Sequence, residues 1–154
     1  MNIPAAIVFL VACLGVGLLG ALFIRPRLLN WYAALRRPSW APPQWLFAPA
    51  WALLYLLMAA AAWTVWSTGH ADRSQVMTLF GAQLLLNLLW PAVFFGLRRM
   101  DWALAEMGVL WIAVATTMLR FWHLAPAAGA MMVPYLAWVS FAFFLNRAYW
   151  RLNR

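Results

Sequence analysis

Three sets of side chains in this sequence carry chemistry into stretches that are otherwise apolar. Gln83, Asn87 and Trp90-Pro91 recur at helical spacing, so they share one helix face. Trp51, Tyr55 and Met58 do the same upstream, and Pro134, Trp138 and Phe141 downstream. Polar groups inside long apolar runs tend to turn toward a bundle interior or serve function. A chamber lined by Trp51, Asn87 and Trp138 would offer flat apolar faces, indole donors and one amide. That combination suits a large, flat, mostly apolar ligand with a few polar points. Taken singly, each of these tryptophans reads more readily as core or lipid-facing packing.

Other chemistry is thin. The acidic residues are Asp72, Asp101 and Glu106. Asp72 is expected in a loop, Asp101 at a span boundary, and Glu106 as a salt-bridge partner of Arg98 and Arg99. No metal-ligand spacing, nucleophile motif or phosphate loop occurs, so neither a resident metal nor a required cofactor is implied. Cys13 is the one cysteine and cannot form an internal disulfide. His70 and His123 fall in expected connections, away from the chamber. A hydrolase or transferase is not supported.

These residues must be held by membrane spans. Of 154 residues, 68% are hydrophobic and 9% charged, against roughly 25% charged in soluble domains. A soluble chain this short could not hide that much apolar surface. A span needs about 20 apolar residues. Five such runs are predicted, at Ile3–Ile24, Trp45–Trp66, Val76–Leu97, Trp102–Trp122 and Ala130–Tyr149. The chain thus reads as an all-α integral membrane protein, a single domain of five transmembrane helices. Met1–Leu10 lacks the basic start of a cleaved signal, so the first run is expected to stay as a span. Bends are expected at Pro91 and Pro134.

The net charge of +8 is carried by arginine alone. One set of connections receives Arg25, Arg27, Arg36, Arg37, Arg98, Arg99, Arg147, Arg151 and Arg154; the other receives Arg73 and Arg120. The arginines sit between apolar runs, which points to topology and lipid headgroups rather than nucleic acid. The N-terminus is expected outside and the C-terminus inside, in a bacterial inner membrane. Cys13, Gly17 and Ala21 form a small-residue face that fits bundle packing or, alternatively, a homodimer.

Residues 25–44 are predicted to form a long first loop, rich in Pro, Arg and Trp. Proline reduces the freedom such a segment must lose to close as a lid. The loop includes Trp31-Tyr32 and Pro38-Ser39-Trp40-Ala41-Pro42-Pro43. With Trp51, Asn87 and Pro134-Tyr135-Leu136-Ala137-Trp138, it makes the whole chain resemble the TspO/MBR family of tryptophan-rich sensory proteins and translocator proteins.

That resemblance implies a five-helix bundle, often dimeric, with a pocket under the first loop. It implies binding of porphyrins such as protoporphyrin IX, by a receptor, sensor or carrier in tetrapyrrole and stress metabolism. Sterols and isoquinoline-carboxamide drugs are ligands of some members. The pocket positions carried over are Tyr32, Trp40, Trp51, Asn87 and Trp138. The alternatives are light-dependent porphyrin oxidation involving Trp51 and Trp138, or transport of lipids or other small molecules. Some members lie in outer membranes. Arg36, Arg37 and Arg27 in the lid suit porphyrin propionates, because guanidinium forks bind carboxylates. Haem as a redox centre fits less well, since its usual axial ligand is His. The family's animal sterol motif would fall on Leu145, Tyr149 and Arg151 in shifted register. Arg147 stands where animal members have the central Tyr.

Overall fold

A computed structural model describes residues 3–24 and 26–154, with side chains described outside residues 25–29. Arg25 and the side chain of Arg27 therefore lie outside the described residues. The described residues form helices α1 (Ile3–Leu22), α2 (Pro26–Ala34), α3 (Phe47–Ser67), α4 (Arg73–Pro91), α5 (Met100–Leu124) and α6 (Pro126–Leu152). A 3₁₀ turn, Gln44–Leu46, leads into α3, and a π turn, Ala92–Gly96, follows α4. All but α2 are long and apolar enough to cross a membrane.

Burial is distributed in the sense a bilayer requires. Gln83, Asn87, Thr117 and Asn146 are buried, while Ile3, Ile7, Val11, Leu18, Leu85, Ile112 and Phe144 are exposed. Water would select the opposite arrangement. Lipid cannot hydrogen-bond, so polar side chains go inside or bond their own helix. Thr64 and Thr117 do the latter, each donating to the carbonyl four residues back at 2.8 Å.

Packed neighbours run α1, α3, α6, α5, α4 and back to α1, which closes the bundle. Small residues set how closely α1 approaches. Cys13 and Gly20 are buried, and a Cβ on Gly17 would lie 2.6 Å from the Tyr55 ring. Ala21, expected on this face, is exposed instead. The face thus continues through Gly20, three residues after Gly17, and packs against Tyr55 and Pro91.

Several predicted boundaries shift. The fifth span begins at Pro126 rather than Ala130, because Pro is favourable in the first helical turn. Only Ala125, in an extended conformation, separates α5 from α6. His123 lies in the last turn of α5 rather than in a connection, and is exposed. The segment 25–44 is not one loop, since residues 26–34 form α2. Pro26 sits at its start, where a missing N–H is harmless, and Trp31 and Tyr32 pack on the bundle.

The two intramembrane prolines act differently. Beyond Pro91 the ladder widens, with Leu97 N–H donating to Ala92 O at 3.0 Å across five residues. Arg98 then takes a left-handed φ of 54° that ends the helix. Through Pro134, α6 runs on without interruption.

The tightest helix joint generates a test. A Cβ on Gly129 would lie 2.7 Å from the Trp122 Cα, and backbone cannot step aside as a side chain can. Gly129→Ala should destabilise the solubilised protein by about 1–3 kcal/mol, whereas Gly81→Ala, with nothing within 4 Å, should not. Thermal unfolding in detergent reads both, and equal melting temperatures would contradict the packing.

Candidate functional site

The polar centre of the bundle is a chain of four side chains from three helices. Tyr55 donates its hydroxyl to Asn87 Oδ1 at 2.6 Å. Asn87 Nδ2 donates to the Tyr135 hydroxyl at 2.8 Å, and Tyr135 donates on to Gln83 Oε1 at 3.0 Å. All four residues are buried. Gln83 and Asn87 reach it from one face of α4 because they stand four residues apart. The amide of Asn87 is thereby fixed in orientation by both its atoms.

The aromatic wall is built on this chain. Trp51 stacks on Tyr55 at 5.5 Å and meets Tyr135 edge-on at 6.3 Å. It also meets Trp138 edge-on at 6.4 Å. Trp138 in turn touches Phe47 at 5.8 Å and Phe141 at 5.6 Å. Its indole nitrogen is buried without a hydrogen-bond partner. The tryptophans singled out on α3 and α6 thus meet, and Asn87 adjoins them through Tyr55 and Tyr135.

The segment after α2 reaches the wall through Trp40, which lies 6.0 Å from Phe141 and is exposed on its other side. Arg37 folds back on its own segment, donating from Nη2 to Ala41 O at 2.8 Å and to Pro42 O at 2.7 Å. Part of its fork is thus committed to shaping the turn. Arg36 is exposed.

Tyr32 belongs to a second cluster rather than to the Trp51 wall. Its ring packs on Phe94, Phe95 and Tyr149, at 5.1 Å from the last. Burial, and next the Tyr149 hydroxyl, raise its pKa above the ordinary tyrosine value, so it stays a neutral donor. Trp90 packs against both clusters and stacks on Phe94 at 4.9 Å. Leu145 and Tyr149 are buried while Arg147 and Arg151 are exposed. The shifted sterol motif therefore does not present one continuous outer face.

Glu106 does not pair with Arg98 or Arg99. Arg99 is gripped by Asp101 through two bonds of 2.9 and 2.7 Å, and Arg98 lies over the Trp31 ring at 5.9 Å. Two helical turns separate Glu106 from Arg99, about 10 Å along the axis. Its two oxygens are buried with no partner. The roles of Tyr55, Gln83 and Tyr135 as a single network were not legible as such. Their helical spacing was the available signal; the pairing across helices was not.

A closed bundle of five spanning helices, with polar groups inside and a tryptophan wall at one side, defines an α-helical membrane protein with an interior aromatic site. The chain belongs to the TspO/MBR family, whose model matches residues 9–151. It is 43% identical to the tryptophan-rich sensory protein of Cereibacter sphaeroides, over 94% of this chain and 89% of that one. To the human translocator protein it is 39% identical, over 87% of this chain and 81% of that one. The CrtK protein of Rhodobacter capsulatus is 38% identical, over 99% and 95%.

Tyr135→Phe would strand Gln83 Oε1 and deprive Asn87 Nδ2 of its acceptor. A buried group left unpaired costs about 1–3 kcal/mol, so unfolding in detergent should show a loss of that size. An unchanged midpoint would mean that the network contributes nothing to stability.

Proposed function

We propose that the protein binds a flat tetrapyrrole, a porphyrin of the protoporphyrin IX kind, against the Trp51–Trp138 wall. It would act there as a receptor, sensor or carrier in tetrapyrrole and stress metabolism. The carrying observation is the ring contact between Trp51 and Trp138, with Trp51 also stacked on Tyr55. Rigid aromatic faces suit a π-system, and the buried, unpartnered Trp138 N–H supplies a polar point, with the Asn87 amide fixing the wall from behind. Propionates would find guanidinium at the exposed Arg36 and at the unengaged nitrogens of Arg37. The names of the relatives, translocator protein and tryptophan-rich sensory protein, fit a small-molecule role. Sterol-like or isoquinoline-carboxamide ligands would compete for the same apolar faces.

A second reading has its own observation. Trp51 is in ring contact with Tyr55, Tyr135 and Trp138, a contiguous set that could relay an electron while dioxygen oxidises an illuminated porphyrin. New absorbing products that need both light and oxygen, and that vanish in Trp51→Phe and Trp138→Phe, would favour this over binding alone.

The membrane is proposed to be a bacterial inner membrane with the C-terminus inside, on the side of Arg98, Arg99, Arg147, Arg151 and Arg154. A green fluorescent protein fused after Arg154 should fluoresce, and an alkaline phosphatase there should be inactive; the reverse pair would invert the topology.

Protoporphyrin IX added in darkness should quench tryptophan fluorescence saturably. Trp51→Phe and Trp138→Phe should each weaken binding by about tenfold, the ratio of roughly 1.4 kcal/mol. Unchanged fluorescence at saturating porphyrin would refute the proposal.

A further inference from the structure

We infer that Asn153 is a positioning residue, a clasp that holds the arginine-bearing turn at residues 36–42 over the aromatic wall. The inference rests on the porphyrin reading for its consequence, though not for the clasp itself. Helix α2 ends at Ala34, so the peptide groups that follow must find partners elsewhere. Residue 36 finds both of them on one distant side chain. Arg36 N–H donates to Asn153 Oδ1 at 2.8 Å, and Asn153 Nδ2 donates to Arg36 O at 3.1 Å. A primary amide carries a donor and an acceptor with the spacing of a peptide unit, which is what two-point pairing with a backbone requires.

The same amide is anchored at its other side. Asn153 Nδ2 also donates to Tyr149 O at 2.8 Å, and the Asn153 N–H donates to Tyr149 O at 3.1 Å. Asn153 is thus the C-cap of α6 and the clasp of the segment beyond α2. Three attachments then define where that segment lies. Tyr32 packs on Tyr149 before the clasp, and Trp40 packs on Phe141 after it. Between them, Arg37 closes the turn onto Ala41 and Pro42. Tyr149, Asn153 and Phe141 all lie on or directly after α6, the helix that carries Trp138, while Trp31 and Tyr32 also pack beside the π turn. Releasing the clasp would free the middle of the segment while leaving the wall itself untouched.

No other side chain reproduces the pairing. Aspartate keeps an acceptor for Arg36 N–H but loses both Nδ2 bonds. Glutamine places the amide one methylene too far out, and alanine removes it. The order of retention is therefore Asn153, then Asn153→Asp, then Asn153→Ala.

The test uses the full chain in lipid nanodiscs. Residue-resolved hydrogen exchange should show the Arg36 amide protected, and Asn153→Ala should speed its exchange by about tenfold. Asn153→Asp should fall between. In darkness, protoporphyrin IX should dissociate faster from Asn153→Ala by a similar factor, with the amplitude of tryptophan quenching preserved. Equal Arg36 exchange in parent and variant would overturn the clasp. Faster exchange with unchanged dissociation would overturn its positioning role. Failure of the parent chain to take up porphyrin would strike the proposed function, and the exchange measurement alone would then decide the clasp.

Discussion

The structure depends on one constraint: lipid offers no hydrogen bonds, so polar side chains in a bilayer are driven inward toward one another. A hydroxyl or amide left unpaired in hydrocarbon costs several kcal/mol. The chain from Tyr55 through Asn87 and Tyr135 to Gln83 links two hydroxyls and two amides, and of their polar atoms Gln83 Nε2 is left without a partner. The chain joins α3, α4 and α6, which are also the helices that supply Trp51, Trp90 and Trp138. Because Trp51 stacks on Tyr55, its ring is aligned by a hydrogen bond made behind it.

This links packing to site geometry. Gly17 of α1 lies against the Tyr55 ring, so the approach of α1 sets where Tyr55 stands. At the other end of the bundle, Pro91 and the π turn bring Phe94 and Phe95 under Tyr32. A π turn places side chains where a regular helix cannot, and such turns recur at functional sites. Helix α6 has 27 residues, about 40 Å at 1.5 Å each. That exceeds the hydrocarbon thickness of about 30 Å, so part of α6 extends beyond it.

Much of the fold was legible because its signals are long and redundant. Five apolar runs punctuated by Arg and Pro leave few alternatives, and the helical spacing of Gln83 and Asn87 showed that they share a face. What was hidden depends on contacts between helices or on short-range competition. The segment 25–44 read as loop because its prolines and arginines outweighed Leu28 and Leu29, although Pro26 is well suited to start α2. Glu106 read as a partner of Arg99 because opposite charges two turns apart looked compatible. Asp101 is nearer, and it occupies the guanidinium fork. The meeting of Trp51 with Trp138 could not be read from positions on separate spans. It required the register between α3 and α6.

The proposed binding depends on the buried amide of Asn87 holding the Trp51 wall in place. Its most direct test is the affinity of Asn87→Leu for protoporphyrin IX in nanodiscs, in darkness, at matched helical content. Leucine has nearly the same volume and cannot bond Tyr55 or Tyr135. Affinity should fall by about tenfold or more, a cost of roughly 1.4 kcal/mol or above, with both tryptophans still present. An affinity equal to that of the parent chain would contradict the claim.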